Sequence, residues 1–369
     1  MNNLLNNINE TLLMGPGPSS VSPQVYSSIG KATIGHLDPK FIEIMDAIKI
    51  QLQVLMGTKN ELTIPISGTG SAGMETCFVN LIEKGNEVLI LSNGVFGGRM
   101  IDVCERLGAN VESIQQVWGK PITTDMITQK LNEKKYDLIA IVHAETSTGV
   151  LNPINEIAKL INQTESLFIV DAVTSLGGLE IHMDDWGIDA LYSGTQKCLS
   201  CPPGLSPVSF SDRAVDKLMN RKTKVPNWYL DLSMIANYWS GEQRAYHHTA
   251  PINMIYALYQ ALYDVIHAGP QNIFQKHQDA HQYLLTKLNN LNLDLLVEKK
   301  YRLPMLNAIK IPKGVSDIDV RNSLLNDYNI EIGGGLGDLS GKVWRVGLMG
   351  YTAREENINR LSDALSEIL

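Results

Sequence analysis

Residues 62–82 read LTIPISGTGSAGMETCFVNLI, and this stretch predicts a buried strand, a glycine-rich turn and a helix in succession. The strand is predicted over residues 62–66 and the helix over residues 74–82, from the apolar run and the helical pattern after it. The turn between them fits G-x-G-x-x-G, a pattern whose backbone amides at a helix amino terminus bind phosphate. A tight turn without a ligand is the alternative interpretation.

The next strand argues against a dinucleotide as the ligand of this turn. In dinucleotide-binding folds an Asp or Glu near the end of that strand holds the ribose hydroxyls. Here the strand ends in Leu89-Ile90-Leu91-Ser92-Asn93, which contains no carboxylate. We therefore expect a site for a phosphate group of some other kind.

Outward from this stretch, short apolar runs alternate with helical patterns between residues 60 and 210. The further strand candidates are residues 87–91, 137–142, 167–170, 190–193 and 207–210. Most of them carry polar residues only at their ends, which is typical of strands covered on both faces. A helical pattern with one apolar face spans residues 154–162. This alternation predicts an α/β fold with an open, mostly parallel sheet between helices.

The composition divides the chain into three parts. A proline- and glycine-rich stretch, residues 15–20, ends an amino-terminal arm of residues 1–20. We expect a large domain over residues 21–269, because the long helical region after residue 250 is interrupted at Gly269-Pro270. Residues 270–369 are expected to form a smaller α+β domain, with strands over residues 303–311 and 342–347 on either side of a glycine-rich loop.

The composition also excludes several classes of protein. With 369 residues, 44% of them hydrophobic, the chain can bury a large core, and with four cysteines it does not depend on a disulfide framework. A net charge of −8 argues against a nucleic-acid-binding surface. The first residues lack the features of a signal peptide, and no apolar run reaches the ~18 residues of a membrane helix. We expect a soluble, cytoplasmic protein that binds neither nucleic acid nor membrane.

Three segments that follow strands carry candidate functional side chains. Asp171 comes directly after residues 167–170, and Lys197 ends the segment Ser193-Gly194-Thr195-Gln196-Lys197. Residues 143–149, after the strand at 137–142, add hydroxyl groups. Each has an ordinary alternative: a helix cap for Asp171, a solvent-exposed lysine for Lys197 and a polar turn for the hydroxyl segment.

Pyridoxal phosphate needs the same set of groups. Because the carboxyl ends of parallel strands meet at one edge of a sheet, these side chains and the glycine-rich turn should lie together. The cofactor requires a cradle for its phosphate, an acid opposite its pyridine nitrogen and an amine for its aldehyde. A desolvated lysine can form a Schiff base, and the acid keeps the ring nitrogen protonated so that the ring accepts electrons. Pyridoxal phosphate is therefore the predicted cofactor.

On these motifs the chain resembles the class V aminotransferases of pyridoxal phosphate fold type I. It is most similar to the alanine–glyoxylate and serine–glyoxylate (serine–pyruvate) aminotransferases, and the similarity covers nearly the whole chain. The segments that carry it are Leu13-Met14-Gly15-Pro16-Gly17-Pro18, Gly35-His36-Leu37-Asp38-Pro39, Tyr192-Ser193-Gly194-Thr195-Gln196-Lys197, Pro202-Pro203-Gly204, Tyr246-His247-His248-Thr249 and Gly334-Gly335-Leu336-Gly337.

The resemblance implies a transaminase in which Lys197 binds the cofactor as a Schiff base and then moves the α-proton of the substrate. Asp171 would pair with the pyridine nitrogen. Arg345 would bind both oxygens of the substrate carboxylate through its planar guanidinium. The amine would pass from alanine or serine to glyoxylate or pyruvate in a ping-pong sequence.

The resemblance also implies the remaining cofactor contacts. These are Thr69, Gly70, Ser71 and Gln196 at the phosphate, Val173 and Phe96 on the two faces of the ring, and Thr146 as its hydrogen-bonding partner, with Ser147 as the fallback. Tyr246 and Thr249 would reach the phosphate of the neighbouring subunit. That contact implies a homodimer with its active sites at the subunit interface.

Other functions share some of these residues. Aminotransferases for aminoethylphosphonate or ureidoglycine resemble the chain in the same motifs, and cysteine desulfurases share the fold. A desulfurase uses a cysteine on a mobile loop, but no cysteine follows Cys201. A nucleotide-binding protein would use only the glycine-rich turn. No metal site is expected, because Cys198 and Cys201 have no second cysteine pair to complete a zinc site.

Overall fold

The computed structural model describes residues 3–239 and 244–369 of the chain. The strands, in chain order, are β1 (Leu12–Leu13), β2 (Leu62–Ser67), β3 (Glu87–Ser92), β4 (Asn110–Gln115), β5 (Leu138–Val142), β6 (Ala144–Glu145), β7 (Val150–Leu151), β8 (Leu167–Asp171), β9 (Ala190–Tyr192), β10 (Leu205–Phe210), β11 (Leu306–Lys310), β12 (Ile330–Glu331), β13 (Gly333–Gly334) and β14 (Val343–Gly347). The α-helices are α1 (Pro23–Ile29), α2 (Pro39–Met56), α3 (Gly70–Leu81), α4 (Val95–Arg106), α5 (Thr124–Glu133), α6 (Ile154–Ile161), α7 (Asp212–Met219), α8 (Leu232–Trp239), α9 (Ile252–Ala268), α10 (Pro270–Asn290), α11 (Asp317–Tyr328) and α12 (Glu355–Ile368).

A seven-stranded sheet forms the centre of the fold, in the order β2-β10-β9-β8-β5-β3-β4. Strand β10 runs antiparallel to β2 and β9, and the other neighbouring strands pair in parallel. All residues of β5 and β8 are buried, as expected for strands covered by helices on both faces. The predicted α/β fold with a mostly parallel sheet is therefore confirmed.

One strand of this sheet was not predicted from the sequence, and one helix begins earlier than predicted. Strand β4 lies at the sheet edge, where its polar residues are partly exposed, so it shows no continuous apolar run. Helix α3 begins at Gly70 rather than at residue 74, because Gly70 and Ser71 of the glycine-rich turn already form its first turn. Near the carboxyl end, the strand expected over residues 303–311 is the shorter β11.

A second, smaller sheet of order β11-β14-β13 lies in the carboxyl-terminal part of the chain. Apolar residues of α10, α11, α12 and this sheet form a core of their own, separate from the cluster around the seven-stranded sheet. Trp344 of β14 is fully buried in this second core. Two such cores in one chain of this length agree with the usual size of a single hydrophobic core.

The amino-terminal arm runs between these two parts. Strand β1 pairs in parallel with β12, and the Gly347 amide donates to the carbonyl oxygen of Met14 (2.7 Å). A few residues later the Ser19 hydroxyl donates to the carbonyl oxygen of Lys197 (2.7 Å). The arm therefore contacts the end of the small sheet and the turn that follows β9.

None of the helices in the described residues has the length and the apolar character that a membrane span requires.

Candidate active site

Two buried titratable side chains stand at the carboxyl edge of the central sheet. Asp171 is the last residue of β8, and its carboxylate accepts a hydrogen bond from the Val173 amide (2.7 Å). Burial raises the pKa of Asp171 to about 7, although the Val173 amide opposes that rise. Lys197 follows β9, and burial lowers the pKa of its amine to about 8. Each group is thus able to gain or lose a proton near neutral pH.

The arm covers the Lys197 amine. Its Nζ atom donates a hydrogen bond to the carbonyl oxygen of Pro16. Gly17 packs directly on the lysine side chain: a β-carbon at position 17 would lie 2.7 Å from Lys197 Cδ. The φ angle of Gly17 is +108°, a conformation that favours glycine. The arm therefore shields the amine from water and leaves no room for a side chain at position 17.

A cavity of about 210 Å³ opens beside these two groups. Its walls bring together most of the predicted site residues, namely Thr69, Gly70, Ser71, Phe96, Asp171, Val173, Gln196 and Lys197. Met74, Arg99 and Tyr192 also line it and were not predicted. Arg99 could have been noticed in the sequence because it lies one helical turn after Phe96, and Tyr192 because it ends the strand before the lysine segment.

The amino terminus of α3 supplies the anion-binding part of the cavity. Thr69 is the cap residue and makes no side-chain capping bond, and the first turn contains no acidic residue. The free amides and the helix dipole of such a terminus favour a negatively charged group. A β-carbon at Gly70 would approach Val173 Cγ2 to 3.2 Å, so glycine allows α3 to pack close to the segment after β8.

Phe96 is held in the cavity wall by a capping arrangement at the start of α4. The buried Glu145 carboxylate accepts hydrogen bonds from the Phe96 amide (3.2 Å) and from the Ser147 hydroxyl (2.5 Å). Ser147 in turn accepts a hydrogen bond from the Val95 amide (3.0 Å). Burial raises the pKa of Glu145, against the effect of these donors. Ser147 is thus engaged at the start of α4, and its fallback role at the cofactor ring stays a prediction.

Arg345 lies near the cavity on β14. Its Nε donates to the carbonyl oxygen of Gly334 (2.7 Å) and its Nη1 to that of Thr146 (3.2 Å). The side chain is buried, which lowers the pKa of the guanidinium, and it forms no ion pair among the described residues. A β-carbon at Gly333 would lie 2.5 Å from Pro16 Cδ and 3.5 Å from Arg345 Nη2, so Pro16 packs on Gly333 beside Arg345. Thr146 therefore contacts Arg345 through its carbonyl, and a role for its side chain remains a prediction.

Tyr246 and Thr249 do not line this cavity. Their hydroxyls lie 3.2 Å apart, and 58% of Tyr246 is exposed. The Tyr246 ring packs on His36, with the ring centres 5.0 Å apart. Next to them, the His248 ring contacts the Ser67 hydroxyl (2.9 Å) at the end of β2. The predicted contact of Tyr246 and Thr249 with a neighbouring subunit stays a prediction.

The residues of the cavity fit pyridoxal phosphate. The α3 terminus suits a phosphate, Asp171 suits a ring nitrogen and Lys197 supplies a partly neutral amine. Among the described residues, the buried Oε1 of Gln196 in this cavity has no hydrogen-bond partner. Tyr192 Oη lies beside Asp171 and interacts with it, but within residues 3–239 and 244–369 it has no partner in hydrogen-bonding geometry. Buried polar atoms of this kind normally have partners, so they indicate a polar ligand. Among the described residues, no cluster of His, Cys, Asp or Glu is arranged to hold a metal ion.

Known proteins with related sequences support this interpretation. The family described as aminotransferase class V matches residues 21–361. Alanine–glyoxylate aminotransferase of Rattus norvegicus is 39% identical over 365 residues, which are 98% of this chain and 88% of the rat protein. (S)-Ureidoglycine–glyoxylate transaminase of Bacillus subtilis is 35% identical over 375 residues, covering 97% of this chain and 90% of the other. Among solved structures, alanine–glyoxylate aminotransferase from Nostoc sp. superposes with a TM-score of 0.96 at 46% identity, over 98% of this chain and 96% of that one.

Proposed function

The chain belongs to the class V aminotransferases, a family of pyridoxal phosphate-dependent transaminases, and from this premise we propose that it moves the amine of alanine or serine to glyoxylate or pyruvate. The observation that carries the proposal is that Lys197 and Asp171 share one cavity with the α3 terminus, close to Arg345, which forms no ion pair in the described part of the chain. The relatives named alanine–glyoxylate aminotransferase support the choice of substrates.

The proposed roles follow from the chemistry of each group. Lys197 would hold the cofactor through its amine, Asp171 would face its ring nitrogen, and Thr69, Gly70, Ser71 and Gln196 would hold its phosphate. Val173 and Phe96 would cover the two faces of its ring. When bound, pyridoxal phosphate supplies a ring that accepts electrons from the substrate Cα.

The chain's own residues would then bind the substrate and move a proton. Arg345 would bind the substrate carboxylate with two parallel hydrogen bonds. Once the substrate has displaced it, the Lys197 amine would take the proton from the substrate Cα as a general base and give the proton back as a general acid. Its pKa of about 8 suits this exchange near neutral pH. Pro16 and Gly17 would keep bulk water away from the amine.

The amino donor can be tested by spectroscopy. We expect the purified protein to show a visible absorption band that alanine or serine bleaches and glyoxylate restores. A ureidoglycine donor is the second candidate, because the Bacillus subtilis relative covers nearly the whole chain. Faster bleaching by ureidoglycine or aminoethylphosphonate would select those donors. Release of sulfide from L-cysteine faster than any transamination would instead indicate a desulfurase-type lyase. A protein that shows no band after addition of pyridoxal phosphate would refute the proposal.

The role of Lys197 has its own test. Lys197→Ala should lower turnover by more than about a thousandfold and remove covalent attachment of the cofactor, because no other lysine lines the cavity in the part of the chain that the structure describes. Lys287→Ala, a change on α10 away from the cavity, serves as the matched control and should keep both properties. A fully active Lys197→Ala variant would contradict the assignment.

We further propose a cytoplasmic homodimer with an arm of residues 1–20, a large domain of residues 21–269 and a small domain of residues 270–369. Tyr246 and Thr249 would reach the phosphate in the neighbouring subunit. The exposed aromatic rings of Trp228, Tyr229 and Tyr246 support an interface, since aromatic side chains are enriched in interfaces. The free, buried cysteines among the described residues agree with a reducing compartment.

A further inference from the structure

A second cavity, of about 280 Å³, adjoins the residues that follow Lys197. It lies between α1, α9 and α10, and its remaining walls are residues 198–200 and 350–351. None of the predicted site residues lines it. Its volume lies close to the lower end of the range of ligand pockets, about 300–1,000 Å³, which suits a small ligand.

The walls of this cavity combine an apolar surface with two opposite charges. Val25, Leu199 and Val265 supply the apolar surface, Asp264 lies on α9 and Lys276 on α10. Both charged side chains are partly buried, and neither forms an ion pair among the described residues. Burial lowers the pKa of Lys276, so its charged form is disfavoured as it stands. A ligand that carries both a carboxylate and an ammonium group would neutralise both charges at once.

Lys276 has a second reason to bind an anion. The Arg354 guanidinium acts on it in the same direction as burial and lowers the pKa of its amine. Arg354 is itself stacked on the Tyr351 ring, 3.6 Å from its centre, and forms no ion pair among the described residues. Together, Lys276 and Arg354 create a positive potential that favours a negative group at this end of the cavity.

We propose that this cavity is a second, non-catalytic site for an α-amino acid with an aliphatic side chain. The carboxylate of the ligand pairs with Lys276 and its ammonium group with Asp264. The aliphatic side chain packs on the apolar wall. Leucine is a small ligand that has both charges and an aliphatic side chain.

The position of the cavity connects it to the catalytic residues. The Tyr351 amide donates to the Ser200 hydroxyl (2.6 Å), and the Ser200 amide donates to the carbonyl oxygen of Lys197 (3.0 Å). Gly350 packs so closely on Ser200 and Cys198 that no side chain fits there, and its amide donates to His277 Nε2 (2.9 Å). A ligand in the cavity therefore touches both the turn that carries Lys197 and the segment after β14. The site is placed to regulate the reaction.

Binding of L-leucine, measured by titration calorimetry, tests the proposal. The experiment uses the holoenzyme of the Arg345→Gln variant, because this change removes the residue that is proposed to bind the substrate carboxylate in the catalytic site. We expect one leucine per chain. Lys276→Met and Asp264→Asn should each weaken binding at least tenfold, whereas Lys276→Arg should keep it within about threefold. Lys287→Met, the same change elsewhere on α10, is the matched control and should leave binding unchanged.

Two analogues test the requirement for both charges. 4-Methylpentanoate lacks the ammonium group and isoamylamine lacks the carboxylate, so each should bind at least tenfold more weakly than leucine. Equal binding of 4-methylpentanoate would overturn the amino-acid assignment. The proposal also fails if leucine does not bind at millimolar concentration, or if Lys276→Met and Asp264→Asn leave its affinity unchanged. With Arg345 intact, added leucine should shift the visible absorption band, and Lys276→Met should abolish that shift.

Discussion

Burial acts on the two titrating residues of the catalytic cavity in opposite directions. It lowers the pKa of the Lys197 amine to about 8 and raises the pKa of the Asp171 carboxyl to about 7. Water stabilises the charged form of both groups, and burial removes that water. The two values therefore lie much closer together than those of a free lysine and a free aspartate. At neutral pH, a larger fraction of the Lys197 amine is therefore neutral and able to react as a nucleophile than for a free lysine, without a strong base beside it.

The pKa of Lys197 can be measured through its reactivity. In cofactor-free protein, brief acetylation of Lys197 should rise with pH and level off above about 8, because only the neutral amine reacts. Peptide mass spectrometry at each pH gives the profile. Lys130 is the internal control: its hydrogen bond to Glu133 raises its pKa, so its labelling should continue to rise beyond the ordinary lysine value of ~10.4. A Lys197 midpoint equal to that value would contradict the shift.

At the scale of elements, the amino terminus of α4 links stability to the cofactor site. Ser147 accepts from the Val95 amide in place of a missing helical partner, and Glu145 accepts from the Phe96 amide. Both caps come from the segment after β5 rather than from α4 itself. The sheet edge therefore fixes where α4 begins and, with it, where the Phe96 ring stands.

Replacing this cap should affect both stability and cofactor binding. Ser147→Ala should lower the free energy of unfolding by about 1 kcal/mol and weaken the affinity for pyridoxal phosphate, because the first turn of α4 loosens. Ser211→Ala removes a comparable cap, at the start of α7, where the hydroxyl accepts from the Ala214 amide (3.2 Å). This control should lose similar stability in urea titrations while its cofactor affinity, measured by fluorescence, stays unchanged. Equal affinity of Ser147→Ala and Ser211→Ala for pyridoxal phosphate would contradict the link between this cap and the cofactor site.

The arm is the second element that the site depends on. Gly17→Ala should strain the backbone by about 1–3 kcal/mol, since its φ of +108° disfavours a side chain, and should push Lys197 from its place. We expect a lower melting temperature and poor attachment of the cofactor, measured by the visible band. Gly30→Ala is the control, because a β-carbon there meets only the Ser27 carbonyl at 3.6 Å. Full cofactor occupancy in Gly17→Ala would show that the arm does not position the lysine.

Elements were easier to predict than contacts. The buried strands β5 and β8 are apolar along almost their whole length, so the sequence shows them directly, whereas the polar edge strand β4 was missed. The proximity of Asp171 and Lys197 could be predicted because one ends and the other follows a strand of the same mostly parallel sheet. The closure of Gly17 over Lys197 could not be predicted, because nothing local joins an arm to a turn so distant in the chain. The role of Glu145 at α4 could not be predicted either, because it depends on packing.

At the scale of the whole molecule, the proposed dimer makes a prediction that one subunit alone cannot satisfy. If Tyr246 and Thr249 serve the neighbouring site, the defects of the double variant Tyr246→Phe, Thr249→Ala and of Lys197→Ala fall in the same site of a mixed dimer and leave its other site intact. Refolding the two inactive proteins together should restore up to about a quarter of the activity expected for the same amount of native enzyme. Sedimentation should show a dimer throughout. Absence of recovered activity in verified mixed dimers would place Tyr246 and Thr249 in the site of their own subunit.

The course of the arm also sets the order in which the protein can be completed. The Thr352 hydroxyl donates to the carbonyl oxygen of Leu13, a residue 339 positions away. A ribosome that adds roughly 5–20 residues per second needs roughly 8–30 s to pass from Lys197 to Thr352. During that interval the lysine turn already exists, but the arm lacks its partners in the later part of the chain, β12 and Gly347. The arm can therefore complete its contacts over Lys197 only after the carboxyl-terminal part of the chain has been made, although it precedes that part in sequence.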